Sequence, residues 1–121
     1  MKTFAFVLVA LCLAVAVSGD MCHFDCYNVD PTSGQQAKQS LLQACGVTDY
    51  KFGTTSANNL AAIYMMAPPA GCQLAVCARY PSEDAITTYR NDCEHPKPQY
   101  AVLNGKGAGR YDAPCTACPT S

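Results

Sequence analysis

The sequence predicts a small, disulfide-rich secreted α+β domain in which two or three short helices pack on a minor antiparallel sheet. Three observations lead there. Nine cysteines occur in 121 residues, and eight remain once an apolar N-terminal stretch carrying Cys12 is set aside. An even count at that density behind a secretion signal reads as about four disulfides. Helix-start residues precede segments with helical spacing of apolar side chains, and short alternating segments lie between them.

Lys2 supplies a positive start, Phe4 to Val17 is apolar, and Ala16, Val17, Ser18 and Gly19 are small. Residues 1–19 are therefore expected to be a signal peptide and residues 20–121 a single extracellular domain. The apolar run is too short to span a bilayer, which takes roughly 20 residues. Without Lys2, seven basic residues face nine acidic ones, a net charge of −2, and neither sign is gathered in a block. That pattern argues against nucleic-acid partners and against membrane insertion.

Along the domain, Asp20 to Ser33 reads as an irregular loop pinned by Cys22 and Cys26. Ser33 and Gln36 have capping-box spacing, so a first helix is expected from Ser33 to Gly46, with Ala37, Leu41, Ala44 and Cys45 on its inner side. Thr48 to Thr55 is a connection. Ser56 then caps a second helix carrying Leu60, Ile63 and Tyr64, which ends before Pro68-Pro69, and Met65 and Met66 are expected to fill gaps in the core. Cys72 to Tyr80 alternates as a strand does, although a short helix fits nearly as well. Ser82-Glu83-Asp84 opens a third helix, from about Glu83 to Asp92, that aims Cys93 inward. Gln99 to Leu103 is strand-like and meets Asn104-Gly105, a hairpin signal whose glycine-rich return arm also suits a mobile loop. Cys115 and Cys118 tie down the tail.

The cysteines show no repeat in their spacing, and the bridges among Cys22, Cys26, Cys45, Cys72, Cys77, Cys93, Cys115 and Cys118 are expected to be long-range. Two pairings are disfavoured. Cys72 and Cys77 would face opposite sides of a strand, and a Cys115–Cys118 bridge would close too tight a loop.

No catalytic, cofactor or metal site is expected. The segment Cys22-His23-Phe24-Asp25-Cys26-Tyr27 partly resembles the His-Asp-x-Cys-Tyr active-site segment of secreted phospholipases A2. Here Phe24 separates His23 from Asp25, the double cysteine is missing and no glycine-rich calcium loop precedes, so those roles are not carried over and His23 is expected in a partly exposed loop. Asn28, Asp30 and Thr32 alternate as in a calcium loop, but Gln39 stands where a bidentate carboxylate is needed, and an N-capping turn explains them better. Zinc lacks a second ligand pair beside Cys115-x-x-Cys118, and a redox role for that pair lacks a following helix. His95 follows Glu94 directly, and neighbours along an extended chain point apart. Gly105 to Arg110 lacks the spacing of a phosphate loop. Asn91-Asp92-Cys93 offers only the uncommon cysteine form of a glycosylation sequon.

The function expected is recognition without catalysis, of an extracellular macromolecule that the sequence does not identify. The contact surface is expected at the loop Asn104 to Tyr111, through Asn104, Lys106, Arg110 and Tyr111. An alternative is a protease inhibitor presenting Lys106 or Arg110. A third is a small hydrolase using His23 or His95, and a structural matrix component completes the set.

Overall fold

A computed structural model describes residues 19–120. Apart from Gly19, the expected leader lies outside the described residues. The segment read as a loop is instead a strand, β1 (Met21–Tyr27). Its residues alternate in a period of two: Cys22, Phe24 and Cys26 face one side of the sheet, and His23, Asp25 and Tyr27 face the other. Polar residues suggested solvent, but both sides of β1 are covered.

Asp30 caps α1 (Pro31–Ala44), accepting hydrogen bonds from the backbone N–H and the hydroxyl of Ser33, both at 3.0 Å. Pro31 suits the first turn, where its missing N–H has no intrahelical partner anyway, so the helix begins before the expected Ser33. Gly46, at φ +79°, ends it as expected. Leu41 and Leu42 reach the core, whereas Ala44 is exposed. The expected connection at 48–55 contains a short strand, β2 (Tyr50–Gly53). Ser56 then caps α2 (Ala57–Tyr64), as its sequence predicts. That helix stops at Met65 in the left-handed region, which turns Met65 and Met66 outward at 59% and 51% exposure. Neither fills the core.

Strand β3 (Leu74–Tyr80) appears where alternation predicted one. Ser82 caps α3 (Glu83–Thr88), which passes directly into a π-helical turn, Tyr89–Glu94, so the third helix is shorter and less regular than expected. The expected strand at 99–103 is a 3₁₀ turn, Pro98–Val102, begun by a proline that fixes its first φ. Tyr100 and Leu103 then fall on one side and pack against the core, as i and i+3 do in such a turn. Asn104-Gly105 is consequently no hairpin tip. It leads from that turn into β4 (Gly107–Pro114), which replaces the expected mobile loop.

The four strands form one antiparallel sheet in the order β2-β3-β1-β4. The chain thus runs β-α-β-β-α-β with α2 inserted between β2 and β3, an arrangement that leaves β1 and β3 central. One core packs α1, α3 and the two irregular turns onto Tyr27, Val76, Ala78 and Tyr80. A second core, beneath α2 and the C-terminal tail, holds Cys22, Phe24, Cys26, Ala75 and Cys77. Four disulfides brace these layers: Cys22–Cys115, Cys26–Cys72, Cys45–Cys93 and Cys77–Cys118. All are long-range, and neither disfavoured pairing occurs. Cys72 precedes β3, so it approaches the same side as Cys77.

Gly53 sits where β2 meets α2, and a Cβ there would lie 2.6 Å from the backbone oxygen of Asn59. Gly53→Ala is expected to destabilise the fold by about 1–3 kcal/mol through overpacking, measured as a lower urea midpoint with an unchanged slope.

Candidate functional site

Strand β1 delivers three polar side chains to the face shared with α1 and α3. His23 is 4% exposed and lies between two carboxylates. Its Nδ1 contacts Asp112 Oδ1 from β4, and its Nε2 lies 3.1 Å from Asp25 Oδ2. Register places these groups, since His23 stands opposite Asp112, and Asp25 opposite Arg110. The Tyr27 hydroxyl donates to Asp25 Oδ2 at 3.1 Å. Burial alone would raise the Asp25 pKa, but the adjoining His23 and the charges of Lys38 and Arg90 outweigh it and hold the carboxyl well below the usual carboxylate range. Asp25 is therefore a buried, permanently ionised acceptor at neutral pH. Burial and the neighbouring Asp25 charge push the Tyr27 phenol upward, so it stays protonated as a donor.

A second buried pair lies on the same face. Lys38, from the inner side of α1, donates to Glu94 Oε2 at 2.9 Å, and both side chains are 2% exposed. The Tyr80 hydroxyl, Glu94 Oε1 and Arg90 Nε are also buried, without a hydrogen-bond partner among the described residues. Burial, then the Glu94 charge, raise the Tyr80 phenol.

Between β4 and the 3₁₀ turn the surface opens into a cleft of about 390 Å³, lined by Asp25, Tyr27, Arg90, Tyr100, Leu103 and Arg110 together with Gly105, Gly107, Ala108 and Gly109. A β-bulge beside Cys26 and Tyr27 shifts the β1–β4 register at this point. The size is within the range of small-molecule sites. Asp25 forms part of the lining, and neither Arg90 nor Arg110 makes an ion pair with a carboxylate among the described residues.

The four residues expected on one presented loop separate. Asn104 and Lys106 are exposed at the mouth of the chain turn. Arg110 lies within β4 and lines the cleft. Tyr111 points to the opposite face, where its ring stacks on Phe24 with centroids 4.7 Å apart and its hydroxyl donates to the Tyr64 carbonyl oxygen. Lys106 uses both backbone groups internally: its N–H donates to Leu103, and its carbonyl accepts from Asn28. An extended, protease-docked conformation at Lys106 would forfeit those bonds. His95 is exposed and packs on Tyr100, and partial burial followed by the Arg90 charge lowers its basicity.

His23 is not in a partly exposed loop, and it meets Asp25 through the two-residue alternation of β1 rather than through the helix of the phospholipase segment. Asp30 is occupied in capping α1, the reading favoured over calcium. The Cys22, Cys77 and Cys118 sulfurs lie within 4.8 Å of one another, yet each already belongs to a disulfide. Lys38, Arg90 and Asp112 are not singled out by the sequence, and Glu94 is weighed there only as the chain neighbour of His95. Lys38 carried a signal, because it stands three and four residues before Leu41 and Leu42 on the same helical side. No sequence signal joined Asp112 to His23.

Neither a protein-family model nor a curated protein matches this sequence. Among solved structures, the chain is similar to a dimeric ferredoxin-like protein of unknown function from Thermobifida fusca YX, at 18% identity and a TM-score of 0.47, over 79% of this chain and 89% of that one. It is also similar to a Dabb family protein with a ferredoxin-like fold from Mesorhizobium loti MAFF303099, at 11% identity and a TM-score of 0.44, over 85% and 99% of the two chains. Both likenesses are of fold only.

Two predictions follow from the buried charges. Lys38→Met leaves Glu94 buried without its cation and is expected to cost about 3–5 kcal/mol, whereas Lys38→Met/Glu94→Leu removes both charges and costs less than either single change; urea denaturation of the four proteins measures this. Because the folded Asp25 pKa lies below its ordinary 3.8, its stabilisation is complete above that value and is lost as pH falls further. Thermal melts of Asp25→Asn should begin lower at pH 6 and change less between pH 4 and 2 than those of the unaltered protein.

Proposed function

We propose that this chain is a secreted, extracellular binding protein that acts by recognition rather than turnover, with the cleft between β4 and the 3₁₀ turn as its binding site. The observation that carries the reading is the cleft itself: an open recess of about 390 Å³ that combines an ionised acceptor with two guanidinium groups that have no carboxylate partner among the described residues. A general base works best with a pKa near the operating pH, and Asp25 is held far from it. Fixed charge in a preformed recess suits binding. The leader pattern and four disulfides support an extracellular setting.

The exposed Asn104 and Lys106 favour a second reading, in which a macromolecule contacts this rim directly. Fragment screening by amide chemical shifts separates the two. Hits are expected to cluster on Tyr100, Leu103 and Gly105 to Arg110, and Gly107→Leu, which adds a side chain in open space at the cleft, should abolish them without lowering the melting temperature. Shifts elsewhere, or none, remove the cleft as the binding site. When the chain passes through a eukaryotic secretory pathway, the mature protein is expected to begin at Asp20 on N-terminal sequencing, and retention of Lys2 would count against secretion.

A further inference from the structure

We infer that the cleft selects a small hydroxycarboxylate, an inference that rests on the binding-site reading above. Three groups define the chemistry. Arg110 projects from β4 opposite Asp25, and Arg90 reaches the same recess from the π-helical turn. Among the described residues neither guanidinium has a carboxylate within ion-pairing distance, although elsewhere Arg79 engages both Asp20, at 2.8 Å, and Asp49, at 2.9 Å. Arg90 Nε is moreover buried without a partner. A planar ligand carboxylate matches the donor fork of such a group better than a lone point charge does.

Asp25 adds the second requirement. Being ionised, it only accepts hydrogen bonds, and His23 and Tyr27 both approach its Oδ2 atom. A ligand that sits against the guanidinium groups must therefore carry a hydrogen-bond donor towards Asp25, because a bare second carboxylate there would meet like charge. A hydroxyl beside the carboxylate meets this need. The remaining wall includes Tyr100 and Leu103, which offer apolar surface to the rest of the ligand. An ammonium compound would satisfy Asp25 but would face both arginines.

Mandelate carries all three features and serves as the probe. Titration into the oxidised protein is expected to give saturable amide shifts at Arg90, Tyr100 and Arg110. Arg110→Ala, at an exposed position, should weaken binding about tenfold or more, with partial recovery in Arg110→Lys. Phenylacetate, which lacks the hydroxyl, should bind several-fold more weakly than mandelate. Equal binding of phenylacetate overturns the role given to Asp25. Benzylamine binding in the cleft in preference to mandelate, or mandelate binding unchanged in Arg110→Ala, overturns the assignment of the anion. If none of the three compounds binds while fragments still occupy the cleft, the hydroxycarboxylate assignment falls and the binding site stands. If fragments also avoid the cleft, both fall.

Discussion

Strand β1 is buried on both faces although one of them carries His23 and Asp25, and the rest of the molecule answers that constraint. A buried carboxylate is tolerated only with partners close by. The partners come from several directions: His23 two residues away, itself held by Asp112 across the β1–β4 ladder, Tyr27 two residues beyond, and the charges of Lys38 and Arg90 from the helical layer. A slip of one residue in β1 would put Phe24 among these charges and His23 against the disulfides. The charged network thus acts with the cysteines in fixing register.

The two faces solve their cohesion differently. Beneath α2 the packing relies on sulfur: Cys22, Cys26 and Cys77 are fully buried, and their bridges draw Cys115, Cys72 and Cys118 onto the sheet. On the opposite face, among the described residues, only Cys45–Cys93 crosses, tying the end of α1 to the π-helical turn beside Glu94. There the closure comes from apolar side chains and from the Lys38–Glu94 pair. The cleft opens on this second face, where fewer covalent links hold the covering elements.

Much of this was legible in the residues, and the failures have physical causes. The fold class followed from the cysteine count and from the periodic segments, and Ser56, Ser82 and Gly46 marked helix ends by local chemistry that tertiary context did not alter. β1 was misread because its polar residues imitate a solvated loop, and only the pairing with both β3 and β4 makes them interior. The 3₁₀ turn was misread because Tyr100 and Val102 favour strands locally, whereas Pro98 and the inward packing of Leu103 decide otherwise. The cleft was half visible. Arg110 was singled out for its charge, but Asp25 and Arg90 join it through strand register and a helix irregularity that no local pattern encodes.

The glycines at the cleft mouth have a consequence for how such a protein can change. Gly105 and Gly107 have nothing within 4 Å of where a Cβ would stand, although Gly105 is tied to its positive φ of +77°. At Gly109, two residues further, a Cβ would stand 2.9 Å from Pro69 and 3.1 Å from the Tyr64 hydroxyl. Variation can therefore enter at Gly107 and reshape the entrance while the disulfides and buried charges stay as they are. Divergent copies of this gene would be free to change the shape of the cleft mouth at that position before any residue of the scaffold had to follow.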